Sequence, residues 1–470
     1  MKTKFLFVVA IFCFTIGSIN AQTKASNSFN FSLDECINYA FEHQTTLLNA
    51  DLDQKIADAK VKETIAIGLP QINGSMDFND YLKRPTTLFP DFVKPTIYDV
   101  ISNENIRDAT GNSISKPSNV GGLMPVQFQQ KYNSSMSLSV NQLLFDGSYI
   151  IGLQASKTYK ELSKKVYSRS KIETNVAVTK AFYLVLVNNE QVELLNANIT
   201  QLKKQLDQTN ALFSNGFAEK IDADRLTVLY NNLTTEKQNV LRSLALGIDF
   251  LKFQIGMPIT DDLAIKGKIN EVKFDKILLV TDTSDFSNRI EYSLVQTQLK
   301  LNELDLKRYK AAYLPTLTAN GSGAYQYQNN SFSDLYASKY PSVYVGLRLN
   351  IPIFSSGLRN YRVKQAQYSL QKSVNDLSYS KNAIQLDIKR SISNYTNSLN
   401  SLENQKRNLD LANEVLKVSK IKYEQGVGSS LEVTQAQTSL KEAENNYINA
   451  LYEALTYKVD TEKATGKIKY

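Results

Sequence analysis

Tryptophan is absent from the 470-residue chain, histidine occurs once and cysteine twice. So few soft or imidazole ligands cannot furnish a His/Cys metal cluster, and any nucleophile–histidine pairing would have to run through His43 alone. His43 lies between Glu42 and Gln44 in a helical stretch and needs no special role there. The sequence has no H-E-x-x-H, no G-x-S-x-G and no phosphate-cradling glycine loop. Its five methionines are scattered, so thioethers assemble no soft-metal site. No constellation singles out a carboxylate pair among the 46 acids. The expectation is a protein without catalytic residues, metal or cofactor.

Glycine and proline are also scarce, at 19 and 10, which argues against a fold of many short elements. After residue 21 no window holds 18 consecutive apolar residues, so no transmembrane helix follows. The 54 Lys+Arg exceed the 46 Asp+Glu, but they are mixed with acids along the chain rather than gathered into basic runs. A nucleic-acid partner would want a clustered patch, and none is expected. With 42% hydrophobic and 21% charged residues, the chain is neither disordered nor a multispan helical membrane protein.

Residues 1–21 read as a secretory leader. Lys2 and Lys4 form the positive start, residues 5–16 an apolar stretch, and Asn20-Ala21-Gln22 a small-residue cleavage site after Ala21. Lipidation at Cys13 is the rival reading. Phe12 stands where a small residue is needed, so lipidation is not expected. Cys36 is then a lone thiol with no intrachain disulfide.

What is present is length without punctuation. Residues 153–215 and 358–425 contain neither Gly nor Pro, and as helices of 63 and 68 residues they would run about 95–100 Å. Apolar residues recur at helical spacing within them, for example Ile172, Val176, Phe182 and Leu186, or Ile388, Ile392, Tyr395 and Leu399. Asn, Gln, Ser and Lys fill the remaining face, the pattern of a helix wet on one side. Each stretch reaches a glycine, at Gly216 and Gly426, and a second helix runs on to Gly256 and Gly466. Both intervals are 40 residues, and the two turns are 210 residues apart. Phe213 pairs with Tyr423, Ile221 with Leu431 and Asp222 with Glu432. Leu144-Phe145-Asp146-Gly147 answers Ile353-Phe354-Ser355-Ser356-Gly357, and Leu69-Pro70 answers Leu314-Pro315. The chain reads as an internal duplication.

Ahead of each long helix come segments of period two. Ile72, Met76 and Phe78 alternate with Asn73, Ser75 and Asp77; Met136, Leu138 and Val140 alternate with Ser137, Ser139 and Asn141. Leu317, Ala319, Tyr325 and Tyr327 do the same with Thr318, Asn320 and Gln326, as do Val343, Val345, Leu347 and Leu349 with Tyr344, Gly346 and Arg348. Such strands suit either a one-sided soluble sheet or a membrane β-barrel, whose strands need about 9–11 alternating residues. The leader and the oversized helices favour the barrel. Four strands cannot close one, and an open edge in lipid leaves backbone groups unpaired. Both strands and helices therefore call for several copies in one tube.

These residues resemble the TolC-like outer-membrane efflux proteins. The likeness rests on the opening Phe31-Ser32-Leu33-Asp34-Glu35-Cys36-Ile37-Asn38-Tyr39-Ala40, the Leu-Pro strand starts, Gln142-Leu143-Leu144-Phe145-Asp146-Gly147, Asn350-Ile351-Pro352-Ile353-Phe354 and Tyr423-Glu424-Gln425-Gly426. The resemblance implies a mixed α+β, mostly α, duplicated protomer that trimerises, giving a 12-stranded outer-membrane β-barrel continuous with a periplasmic α-helical barrel. It implies a first repeat over 22–256, an equatorial segment over 257–284, a second repeat over 285–466 and a tail over 467–470. One departure from the family is the Pro-, Asn- and Ser-rich stretch at 82–135, far longer than the loop between the second strand pair; part of it would extend a strand and the rest form an external loop whose role is open. The implied function is a passive exit duct of an efflux or type I secretion system in the Gram-negative outer membrane. The implied partners are two further copies, outer-membrane lipid, a periplasmic adaptor and, through it, an inner-membrane pump of RND or ABC type. Helical tips at Gly216, Phe217, Gly426, Val427 and Gly428 would meet the adaptor. A periplasmic gate would involve Glu432, Gln435, Asp222, Asp224, Arg225 and Tyr423; where relatives often carry a second acid, this chain has Gln435. A non-conducting coiled-coil scaffold is the alternative, and it has no use for two lipid-compatible hairpins.

Overall fold

The computed structural model describes residues 28–274, 286 and 288–468. The expected leader and its cleavage after Ala21 lie outside them, as do residues 275–284 of the equatorial segment and residue 285 of the second repeat. In chain order the elements are β1 (Ser28–Phe31), α1 (Leu33–His43), α2 (Thr45–Ile67), β2 (Gln71–Asp80), β3 (Thr87–Pro90), α3 (Val93–Asn103), β4 (Leu123–Val126) and β5 (Tyr132–Phe145). Then follow α4 (Gly147–Ser214), α5 (Lys220–Ile255), β6 (Asp262–Ile265), α6 (Ile290–Ala311), β7 (Thr316–Asn329), β8 (Tyr340–Asn350), α7 (Leu358–Glu424) and α8 (Ser430–Ala464).

By compactness the chain divides into two units that cut across the repeats. One comprises residues 1–55, 162–296 and 375–470, the other 56–161 and 297–374. The first unit is helical. Leu195, Leu202 and Leu206 of α4 meet Leu226, Leu233 and Val240 of α5. Steps of seven and four on α4 and of seven on α5 are the pattern of a coiled-coil seam. Leu416 of α7 meets Val433, Ala436 and Leu440 of α8 in the equivalent way. A wider core gathers Cys36 and Ala40 of α1 with Val178, Phe182 and Val185 of α4, Leu251 and Ile255 of α5, and Leu451 and Leu455 of α8. Each fully buried Leu there contributes about 1.5–3 kcal/mol. Burial pushes the Cys36 thiol up to about 12, so it stays a protonated packing residue.

The sequence motifs have local causes. Ser32 caps α1 in a reciprocal box: its N–H donates to Glu35 Oε2 at 2.7 Å, and the Glu35 N–H donates to Ser32 Oγ. The donation from the Ser32 backbone holds the Glu35 carboxyl below its usual range. Asp146 does the same for α4, accepting from Ser148 N–H at 2.7 Å and Tyr149 N–H at 3.1 Å. Two features go beyond the sequence reading. The first helix is broken at Gln44, whose backbone is extended, and whose amide donates to the Gln254 carbonyl. Short β1 pairs in parallel with β6, a pairing across more than 230 residues.

The second unit holds a four-stranded antiparallel sheet in the order β2-β5-β7-β8. The long segment between β2 and β5 is structured as well: β3 and β4 form a ribbon that flanks α3. Residues 132–135, expected in that loop, belong to β5.

Candidate functional site

Register sorts the sheet into two chemically opposite faces. One carries the rows Ile72–Val140–Gly321–Val345, Gly74–Leu138–Gly323–Val343 and Met76–Met136–Tyr325–Pro341. The other carries Gln71–Asn141–Asn320–Gly346, Asn73–Ser139–Ser322–Tyr344 and Ser75–Ser137–Ala324–Ser342. On the polar face the Ser75 and Ser137 hydroxyls lie 2.8 Å apart, and Ser135 donates to Asp77 at 3.4 Å. Exposure runs opposite to that of a soluble sheet. In central strand β5, Met136, Leu138 and Val140 are exposed while Ser135, Ser137 and Ser139 are half-buried. On β8, Val345 is 88% exposed and Leu347 72%. Strands β2 and β8 each have a neighbour on one side only, leaving two open edges within the single chain. Wherever water is the solvent, such an apolar face and two bare edges would recruit other chains.

The helical unit supplies the second site. At the α4–α5 turn Gly216 has φ +80°, and the Phe217 N–H donates to the Leu212 carbonyl at 2.8 Å. At the α7–α8 turn Gly426 has φ +75°, and the Val427 N–H donates to the Lys422 carbonyl at 3.0 Å. Both are Schellman-type stops, in which glycine takes the left-handed position without strain. Gly428 is needed for space: a Cβ there would sit 2.9 Å from the Lys422 Cβ. Phe217 and Val427 protrude, 82% and 76% exposed. Between the turns lies an open cleft of about 710 Å³, lined among others by Gln205, Gln208, Lys420 and Tyr423. Burial pushes the Lys420 ammonium below its ordinary value, against the favourable charge of Glu424.

Just past the turns, the first residues of α5 and α8 meet. Ser430 donates its hydroxyl to Asp222, and Arg225 lies 3.8 Å from Asp222 and 3.5 Å from the Ser430 hydroxyl. The structure thus brings Asp222 and Arg225 together through Ser430. Glu432 has its own N–H capped by Ser429 at 3.2 Å and an exposed side chain, and Gln435 and Asp224 are exposed too. Tyr423 joins the apolar cluster of Leu409, Ala412 and Leu416. Ser430 was the member missed by sequence reasoning; its place one residue after a helix cap is the only local signal it carries.

Among proteins of known kind, residues 296–467 match the family model "Outer membrane efflux protein". Outer membrane protein TolC of Salmonella enteritidis is 23% identical over 342 residues, covering 71% of this chain and 69% of that protein. Alkaline protease secretion protein AprF of Pseudomonas aeruginosa is 22% identical over 69% of this chain and 68% of its own. The crystal structure of the outer membrane protein VceC from Vibrio cholerae superposes with a TM-score of 0.68 at 13% identity, over 92% of this chain and 96% of that one. The chain is similar to outer membrane efflux proteins of the TolC kind.

Among the described residues no group of three or more His, Cys, Asp or Glu side chains converges. None of the described helices is long and apolar enough to cross a membrane.

Proposed function

We propose that three copies of this chain close their sheets edge to edge, β8 of one against β2 of the next, into a 12-stranded barrel. The chain works as an outer-membrane exit duct for efflux or secretion. The inverted exposure of the sheet carries this reading: apolar rows outward, Asn/Ser/Gln rows inward, and an unpaired edge on either side. Three such sheets satisfy every edge, as the hydrocarbon requires. Exposed apolar residues on the helices make the same demand. Leu411, Val415 and Val418 line up at i, i+4 and i+7 on α7, and Ile221 and Val228 lie seven apart on α5. Conduction through a wide polar interior needs no catalysis. The leader would be cleaved after Ala21 without lipidation, and the repeats would meet at an equatorial segment over 257–284. Detergent-extracted protein should have the mass of three chains and should conduct in planar bilayers. A stable monomer fractionating with soluble periplasmic proteins would sink this reading.

The helical tips are where an adaptor, itself coupled to an inner-membrane pump, would dock. Relatives are named as an alkaline protease secretion protein and as a "Solvent efflux pump outer membrane protein", SrpC of Pseudomonas putida. An exposed aromatic and an exposed valine on capped, rigid turns offer an apolar anchor at each tip. Phe217→Glu and Val427→Glu should abolish export at unchanged trimer yield, since neither side chain is packed within its own chain. Export at the parental rate in both variants would remove the docking assignment.

A further inference from the structure

The end of the sheet away from the long helices carries an aromatic cluster with cations set into it. Phe78 of β2, Tyr132 of β5 and Phe332 of the β7–β8 loop stack on one another at 5.6–6.4 Å between ring centres. Phe78 and Tyr132 stand on the apolar face, since register pairs Phe78 with Ser134 and Tyr132 with Asp80 in the same alternation as Met76. Lys131 holds its ammonium 4.8 Å from the centre of the Tyr132 ring, and Lys339 holds its own 5.7 Å from Tyr325. Asn330 ties the cluster together. Its Oδ1 accepts from Arg84 Nη1 at 3.3 Å and from the Lys131 backbone N–H at 3.1 Å.

Among the described residues no carboxylate lies within ion-pair distance of Lys131, Arg84 or Lys339, and Asp80 is the acid whose charge reaches Lys131. An aromatic belt alone fits any bilayer interface. Three cations stand around it, Lys131 and Lys339 with their ammonium groups over the rings of Tyr132 and Tyr325, which belong to the apolar face, and Arg84 held by Asn330, so an anion at headgroup level would meet all three. Cations stacked on aromatic faces are held in place without being neutralised, so their charge stays available.

We infer that this rim is a binding surface for the phosphate of an outer-leaflet lipid, with Phe332 and Tyr132 against the upper acyl chains and Lys131, Arg84 and Lys339 on the headgroup. The inference rests on the lipid-facing reading of the sheet. The same cations could take free phosphate, and the test separates the two sources.

Because the chain has no tryptophan, Phe332→Trp gives the full-length protein a single reporter inside the cluster. This variant is reconstituted in phosphatidylcholine vesicles doped with either brominated phosphatidic acid or brominated phosphatidylcholine. Half-maximal quenching by the acid should come at a mole fraction at least about fivefold lower, the discrimination expected from even one well-placed cation. Adding Lys131→Gln, Arg84→Gln and Lys339→Gln should remove the difference, while Lys131→Arg should keep it and guards against a folding failure of the triple change. Equal quenching by both lipids would overturn the headgroup site while leaving the membrane reading intact. No quenching by either lipid would overturn both. A preference abolished by millimolar inorganic phosphate would mean the rim takes free phosphate rather than a lipid.

Discussion

Arginine in place of Val345 should keep the protein out of the outer membrane, whereas arginine in place of Ser139 should not. Val345 sits at the middle of β8 in the row Ile72–Val140–Gly321–Val345, and Ser139 in the row that alternates with it. A charge on the lipid face at the bilayer midplane costs about 2–4 kcal/mol per site. In the proposed trimer three copies would bring that to roughly 6–12 kcal/mol, comparable to the whole stability of an ordinary domain. Val345 also lies on an edge strand, so the penalty would fall on the seam of the proposed trimer. Arginine at Ser139 would face water in the interior, where its charge changes selectivity and leaves assembly alone. Fractionation and trimer yield of the two variants check this directly. Equal insertion of both, or equal failure, would mean that the two faces have been assigned wrongly.

That contrast was legible in the sequence because period two survives any tertiary arrangement. Met136 and Ser137 fall on opposite faces whatever the sheet packs against. The long helices were legible for a related reason. Over 60 residues without glycine or proline leave few alternatives, and the heptad spacing of Leu226, Leu233 and Val240 names the buried seam. Local signals run out where the deciding partner is distant. The break at Gln44 depends on a carbonyl 210 residues away at Gln254. The parallel pairing of β1 with β6 involves two four-residue strands, each too short to show periodicity. Within the loop after β2, α3 has a Pro at its third position, and its first turn is capped not by the adjacent Phe92 but by Asp91, whose Oδ1 accepts from the Lys94 N–H at 3.1 Å, so its start is poorly announced. At the tips, glycine spacing located the turns, but the side of each helix that faces its neighbour depends on supercoil geometry. The meeting of Ser430 with Asp222, 208 positions apart, is therefore visible only in three dimensions.

That meeting bears on the gate, which we propose these residues form. Asp222→Ala should raise the open probability of the channel, because it removes the group to which both Ser430 and Arg225 are drawn. The carboxylate is largely covered and Arg225 about one-third exposed, so the link is neither a fully screened surface pair nor a buried one. A net contribution of about 1 kcal/mol per protomer is reasonable for such a hydrogen-bonded arrangement. If three links open together, about 3 kcal/mol is lost and the closed-to-open ratio falls roughly 150-fold. Ser430→Ala should act in the same direction but less strongly, since Arg225 keeps its attraction to Asp222. Glu432 provides the contrast. Its side chain is exposed beside the first turn of α8, free of the Asp222 link, and threefold symmetry would bring three such carboxylates toward one axis. Mutual repulsion there offers a place for a cation. Glu432→Gln should accordingly lower cation selectivity and blunt block by divalent ions, with open probability unchanged, and Gln435→Asp should strengthen both. Single-channel recordings in planar bilayers separate the two roles. Unchanged opening in Asp222→Ala would reduce the Asp222–Ser430–Arg225 contact to helix packing, and unchanged selectivity in Glu432→Gln would leave Glu432 as nothing more than a favourable acid at a helix start.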